Sequence, residues 1–382
     1  RQMSDYMNAN RNLINNRSGY SSLQELLNNV NTGQIDSSNA RKQFSAIRAE
    51  MQALGLESET LGQRISKLFG DHFNTAIALA GINALQIGLQ QLVVSVREVD
   101  AAMAELRKVT NLSDSGYDEF LTQASERAQQ LGTSLSNVVS ATADAAKLGY
   151  DLDEASSLAD AISVYMNVGD NVESVDAASS SIISGMKAFN ITAEESIGLV
   201  DRFNEVANRT SIDSGGIGEA LQRSASVLSA AGTTLPERIG LITAPNDIQR
   251  NPMAVGTALK TVSMRLRSSK VELEEMGEDA TGAAESVSKL REDLLALTGV
   301  DIMLDEDTYK STFQILQEMS RVWDSLSDIN QAGALELIAG QRQGNVVASL
   351  LTNFSEAERA AEISANSAGS AWQENEVYLD SI

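Results

Sequence analysis

The chain has 382 residues, with 29 basic and 52 acidic side chains, a formal net charge of −23 and no cysteine. An acidic surface repels phosphate backbones, which argues against specific nucleic-acid binding. The lack of cysteine excludes disulfides and thiolate metal sites. The three prolines all lie between Pro236 and Pro252. Because proline interrupts helices, this distribution predicts an all-α array or bundle of moderate-length helices, flanked by longer helices that are candidates for coiled coils.

The first segment, 1–72, is polar and rich in Asn, Gln and Ser. It carries 8 basic and 7 acidic residues, a net charge of +1, so the remaining residues carry −24. Few apolar positions recur in it, and we predict a polar helical segment, either a surface helix pair or a coiled-coil shoulder. Because the chain starts at Arg1 and ends within a helical pattern, we expect it to be a piece of a longer protein.

The second segment, 73–99, contains an uncharged run at 74–96. The run is long enough to span a bilayer. However, it contains Asn83 and Gln86, whose amides need hydrogen-bonding partners in hydrocarbon. Its apolar residues recur at helical spacing along one face. Two interpretations remain open: a helix buried in a bundle or oligomer, and a segment that enters a host membrane after a rearrangement.

From residue 100 onward the sequence predicts a series of helices, divided into a core domain at 100–270 and a C-terminal helical segment at 271–382. Glycine readily adopts the left-handed conformation that follows a helix. Four glycines are therefore predicted helix stops: Gly132, Gly149, Gly169 and Gly232.

Helix starts are predicted where a capping residue is followed three residues later by glutamate. Four pairs fit: Asp151–Glu154, Thr192–Glu195, Thr234–Glu237 and Ser355–Glu358. Asn251 before Pro252 predicts another start, with proline at the first helical position.

Two glycine-containing stretches invite a phosphate-binding interpretation. The stretch at 214–218 lacks the G-x-G-x-x-G order, and no strand is predicted before it. We therefore predict a tight turn into a helix that begins near Ile217. The stretch at 340–344 lacks the Lys-Ser/Thr pair of a phosphate loop, and is predicted to be a helix stop followed by a turn.

The acidic and aromatic residues give no sign of a reaction centre. An acidic cluster comprises Asp301, Asp305, Glu306 and Asp307, but it lacks the central glycine of a calcium loop, and a helix start is the simpler explanation. His72 is the only histidine and has no motif around it, while Trp323 and Trp372 stand apart. We predict no catalytic residue, no metal ligand and no bound cofactor, and expect that the chain is not an enzyme.

Several long strings occur in one order along the chain. They are EVDAAMAELRKVTNLSDSGYDEF at 98–120, ATADAAKLGYDLDEASSLAD at 141–160, DRFNEVANRTSIDSGGIGEALQRSAS at 201–226, VGTALKTVSMRLR at 255–267, LTGVDI at 297–302 and AGQRQGNVVASLLTNF at 339–354. Through them residues 95–382 resemble the core of phage tail tape measure proteins. One departure is Pro245, which follows LITA and is predicted to end the helix that begins near Leu235 at Ala244.

The resemblance implies a structural protein of the virion. Members of this family lie in the tail tube of long-tailed phages, set tail length during assembly in the host cytoplasm, and leave ahead of the DNA at infection. The implied partners are further copies of the chain, three or six in number, the tail tube protein, tail tip or baseplate hub proteins and tail assembly chaperones. Contact with the host envelope would run through 74–96. The alternatives are an envelope-inserting channel or plug of the same particle and, least favoured, a cell-wall hydrolase-associated domain.

Overall fold

The computed structural model describes residues 97–381. Within that range the chain forms 15 helices and no strand. Its one departure from helix and loop is an isolated bridge between Met303 and Tyr309. The predicted all-α fold is therefore confirmed for the described residues.

Several sequence predictions fall outside this range. The segment 1–72, which includes His72, and the uncharged run at 74–96 lie outside the described residues, and the predictions made for them stay predictions. Among residues 97–381 no helix is both long enough and apolar enough to cross a bilayer.

The helices follow one another through short connections. In chain order they are α1 at 97–109, α2 at Asp114–Leu131, α3 at Leu135–Lys147, α4 at Leu152–Val168, α5 at Val175–Phe189, α6 at Ile197–Arg209, α7 at Ser214–Ala230, α8 at Leu235–Gln249, α9 at Pro252–Arg265, α10 at Lys270–Glu275, α11 at Val287–Thr298, α12 at Thr312–Trp323, α13 at Asp328–Thr352, α14 at Phe354–Ala365 and α15 at Ser370–Ser381.

Serine begins about half of these helices. A serine hydroxyl accepts a hydrogen bond from the backbone N–H three residues later, which satisfies one of the donors that a helix start leaves open. The N-cap serines are Ser113, Ser134, Ser174, Ser269, Ser286, Ser311 and Ser327.

Three predicted starts are confirmed. Asp151 accepts from the Glu154 N–H at 2.9 Å, while the Glu154 carboxylate accepts from the Asp151 N–H at 3.0 Å. Thr234 forms the same reciprocal box with Glu237 at the start of α8. Asn251 caps α9 through its bond from the Ala254 N–H at 3.0 Å.

Two other predicted starts are wrong in position. The Glu195 carboxylate does accept from the Thr192 N–H at 3.3 Å, but a turn intervenes and α6 begins only at Ile197. At Ser355 the helix has already begun, because α14 starts at Phe354 after Asn353.

All four predicted glycine stops follow a helix end. Gly132, Gly149 and Gly232 are left-handed, with φ of 67°, 91° and 69°. Gly169 follows the end of α4 without a positive φ, and its N–H donates to the Tyr165 carbonyl at 2.9 Å.

The prediction that Pro245 ends its helix is wrong. Helix α8 continues through Pro245 to Gln249. Proline lacks the N–H that would donate to the carbonyl of Leu241, so the helix loses one hydrogen bond at this point. The helix is buried on nearly every side, and we attribute its continuity to that packing, which outweighs a single missing bond.

The chain divides into two compact units between Asp160 and Ala161. In the first unit α2 packs against α3. The Arg107 guanidinium stacks 4.0 Å from the centre of the Tyr117 ring. Arg127 binds the Asp160 carboxylate at 2.5 Å and the Ser156 carbonyl at 3.1 Å, which ties α2 to the first turns of α4.

In the second unit α8 occupies the centre. It contacts α7, α9, α12, α13 and α14, and its contact with α14 is the most extensive. Its residues from Arg238 to Asn246 are all buried, so no face of this stretch is left to solvent. At Gly240 the backbones of α8 and α14 approach so closely that any added Cβ would overlap the Ala357 carbonyl oxygen. A glycine permits a second close crossing of two backbones, where Gly256 of α9 packs on Ala220 of α7.

The last helix, α15, docks on α6 through polar groups. The buried carboxylate of Asp201 accepts from the N–H groups of Gly369 and Ala371, both at 2.9 Å. It thereby caps the start of α15 from another helix. The Glu374 carboxylate in turn accepts from the side-chain amide of Asn204 at 2.8 Å.

Replacing Gly240 with alanine should lower the free energy of unfolding by about 1–3 kcal/mol, because the new methyl group would push α8 and α14 apart. Urea unfolding followed by far-UV circular dichroism measures the change. The control is Gly344→Ala in α13, where no atom lies within 4 Å of the new Cβ. There alanine should be neutral or stabilise the helix by about 0.5–1 kcal/mol. Equal effects of the two substitutions would contradict the close crossing.

Candidate functional site

The glycines at 214–218 form the first turn of a helix. Helix α7 begins at Ser214, three residues before the predicted start, so the predicted turn at this stretch is wrong. The Gly216 N–H donates to the Asp213 carboxylate at 2.6 Å, and the Gly215 N–H donates to the Asp170 carbonyl at 3.0 Å. Because these two donors already have partners within the chain, they are not free to hold a phosphate.

The acidic cluster does not start a helix, contrary to the sequence-based explanation. It lies in the connection between α11 and α12, and α12 begins only after Ser311. The hydrogen bond from Arg291 to Asp301 lowers the pKa of that carboxyl, and the two groups meet at 2.6 and 2.8 Å. Asp305 accepts from the Asp307 N–H at 3.0 Å, which closes a tight local turn.

No metal centre is formed by this cluster or by any other acidic group in the range 97–381, since three ligand-type side chains nowhere converge. The two tryptophans differ in exposure. Trp323 is buried at the end of α12, whereas the side chain of Trp372 on α15 is 41% exposed.

The most unusual feature of the second unit has no local sequence signal. It is a set of arginines that are buried or half-buried and lie close to helix ends. Arg238 and Arg265 are the largest fully buried side chains, with exposures of 1% and 2%. Arg267, two residues after Arg265, is half-buried. A buried cation is costly unless its donors find partners.

Arg238 projects from α8 and binds the chain around the end of α7. Its Nε and Nη2 donate to the Thr233 carbonyl at 2.9 and 2.6 Å, and Nη1 donates to the Ala225 carbonyl at 2.9 Å. The guanidinium also lies 3.9 Å from the centre of the Phe189 ring on α5, a favourable cation–π distance. One side chain thus joins three helices.

Arg265, the last residue of α9, binds a break in α13. Nη1 donates to the carbonyls of Glu336 and Leu337 at 3.0 and 3.2 Å. Nη2 donates to the carbonyls of Asp279 and Thr281, both at 2.7 Å, in the loop after α10. This one guanidinium therefore satisfies four backbone acceptors.

The stretch at 340–344 lies at this break. Gly340 has φ 64° and ψ −179°, and the helix resumes directly after it. The predicted helix stop is therefore found, but the turn predicted to follow it is not. A Cβ at Gly340 would lie 2.7 Å from Nη2 of Arg265 and would need an unfavourable positive φ.

Arg267 connects three further segments. Nη2 donates to the carbonyls of Ala231 and Lys310 at 3.1 and 2.7 Å, and Nη1 donates to the Thr312 hydroxyl at 3.1 Å. The end of α7, the loop at 301–311 and the start of α12 are held together by this side chain.

The electrostatics of the set follow from burial. Burial lowers the pKa of Arg238 to about 10 and also lowers the pKa of Arg265 and Arg267. All three stay charged at neutral pH. None of them forms an ion pair with a carboxylate in the described part of the chain. Carbonyl oxygens near helix ends carry partial negative charge, so backbone dipoles supply much of the compensation, and the arrangement joins helices to one another.

This unit lies largely inside a region with known relatives. The profile of the family described as phage-related minor tail protein matches residues 122–340, more than half of the chain. The chain belongs to this family. The region that matches the minor tail protein family contains all three arginines. It ends at Gly340, the residue on which Arg265 packs.

One curated relative is a probable tape measure protein of Escherichia phage P2. It is 24% identical over 285 residues, which cover 72% of this chain and 31% of that relative. The chain thus spans about a third of the length of the relative that it matches. No solved structure matches this member of the minor tail protein family.

Replacing Arg238 with lysine should destabilise the protein by about 2–4 kcal/mol. A single ammonium group keeps the charge but cannot reproduce the three-donor fork, which leaves buried carbonyls without partners. Arg223→Lys on the exposed side of α7 is the matched control and should change stability by less than about 0.5 kcal/mol. Urea unfolding measures both. A harmless Arg238→Lys would show that the guanidinium geometry is unimportant.

Proposed function

We propose that this chain is part of a tape measure protein, a non-enzymatic component that lies in the tail of a long-tailed phage and sets tail length. The family match over 122–340 carries the proposal, and the likeness to the probable tape measure protein of phage P2 supports it. The all-helical character of the described residues is consistent with a mechanical role.

The physical basis of a ruler is a fixed rise per residue. An extended α-helix supplies about 1.5 Å per residue, and the scarcity of proline limits the points at which that rise is interrupted. In this proposal the two compact units at 97–381 are a folded element near the tail tip or within the tube, and longer helical stretches supply the measured length.

The proposal extends to partners and place. Copies of the chain, three or six, associate around the tube axis and contact the tail tube protein and the tip or baseplate hub, after assembly with tail chaperones in the host cytoplasm. The net charge of −23 would limit adhesion to DNA in the same channel. At infection the protein leaves ahead of the genome.

The test is a change of length in a phage that encodes this chain. Deleting residues 22–49 in frame should shorten the tail by about 42 Å if that stretch is helical in the tail, at about 1.5 Å per residue. Duplicating the same residues should lengthen it equally. Electron microscopy of negatively stained particles measures both.

The control replaces residues 22–49 by a helix-forming sequence of equal length, which should leave the tail length unchanged. If the deletion and the replacement give tails of one length, the chain is not the ruler.

A second role is favoured by one observation, the uncharged run at 74–96. In that case the released protein inserts this run into the host envelope and forms a channel or plug for DNA passage. The whole chain should then release dye from anionic liposomes, and a variant with Gln86→Lys and Leu92→Lys should not, because charge within an inserted helix is costly. Equal release by both proteins, or none by either beside a leaking control peptide, would remove this role.

A further inference from the structure

Helix α13 is the one element of the described chain in which two helical stretches are joined through a single non-helical residue. It runs for 25 residues, contains no proline, and is interrupted only where Gly340 takes φ 64° and ψ −179°. Sharp helix breaks need an identifiable cause. Gly340 permits the break, because glycine tolerates the positive φ, and the contacts that hold α13 in the broken form lie in what packs on it.

The side chain of Arg265 packs into the break at Gly340 and holds it. A helix that ends leaves its last four carbonyls without intrahelical donors. Glu336 and Leu337 belong to the turn that ends at the break, and Nη1 of Arg265 donates to both, at 3.0 and 3.2 Å. The guanidinium fills a notch, the space beside Gly340 at the break in α13. It fits so closely that a Cβ on Gly340 would lie 2.7 Å from Nη2.

The loop at 276–284 fastens the guanidinium from its other side. The carbonyls of Asp279 and Thr281 accept from Nη2 at 2.7 Å. Across the notch, Arg342 of the second half of α13 lies 3.5 Å from the Asp279 carboxylate. The kinked form thus depends on contacts that converge on one side chain.

The kinked form also carries costs that a straight helix would avoid. Arg265 is 2% exposed, and its buried Nε has no hydrogen-bond partner among the described residues. An unpartnered buried donor is unfavourable. In a straight α13 the carbonyls near Gly340 would regain donors four residues on.

We propose that α13 is a two-state element, kinked when Arg265 occupies the notch at Gly340 and straight over all 25 residues when Arg265 withdraws. The kinked state belongs to the compact second unit. In the straight state one half of α13 gives up its contacts with the rest of the second unit, and the helix becomes one longer rod. The two arrangements are discrete, because a guanidinium is either inside the notch or outside it.

A distance between the two ends of α13 tests the proposal. The chain has no cysteine, so Ile329→Cys and Thr352→Cys introduce a single pair of spin labels, at positions that are exposed at the two ends of the helix. In a straight helix the two Cα atoms lie about 35 Å apart, at about 1.5 Å per residue. A kinked helix brings them closer.

Gly340→Ala should move most of the distance distribution to about 35 Å, because the methyl group displaces Arg265 and alanine disfavours the positive φ. Arg265→Gln should populate the same distance in part, since it removes the fork that fills the notch. Gly344→Ala is the matched control. It makes the same substitution one turn later in open space, and should keep the distribution of the parent pair.

Two results overturn the proposal. One is a Gly340→Ala protein that keeps both its helix content by circular dichroism and the shorter distance. The other is a Gly340→Ala protein that unfolds while Arg265→Gln shows no population near 35 Å, since the kink would then be a fixed part of the fold. These measurements use the isolated chain, so their outcome is independent of whether the chain sets tail length.

Discussion

The burial of α8 is the constraint on which the second unit depends. At least five helices contact it, and nearly every face of it is covered, so its neighbours must approach very closely. That requirement explains why Gly240 lies where α14 crosses and why a proline within α8 does not end the helix. Packing of a buried helix contributes far more than one backbone hydrogen bond.

Arginines replace the bulky apolar anchors that this sequence lacks. Only 4% of its residues are aromatic, and small side chains let helices pack closely without filling the spaces at their ends. There Arg238, Arg265 and Arg267 reach across and donate to carbonyl oxygens. A fork of several donors can join three segments at once, which a leucine cannot do. The cost is a buried charge, compensated by backbone dipoles rather than by carboxylates.

Local chemistry was readable from the sequence, whereas long-range contacts were not. Glycine stops and capping pairs depend on neighbours within four residues, and the structure confirms the four stops and two of the four pairs, Asp151 with Glu154 and Thr234 with Glu237. The prediction for Pro245 fails because the effect of this residue depends on the helices around it. The helix start predicted at the acidic cluster fails in part because Asp301 pairs with Arg291 on α11. The buried arginines carry no local signature, since their acceptors lie up to 72 residues away. Two of them, Arg265 and Arg267, lie in the string at 255–267, which carries part of the family resemblance.

The attachment of α15 to α6 differs in kind from the rest of the unit. Asp201 and Asn204 hold it by directed hydrogen bonds, and of its residues only Ala371 and Asn375 are buried. Heat capacity changes on opening follow the apolar surface that is exposed. Undocking of α15 alone would therefore have little calorimetric signature of its own and little sensitivity to urea.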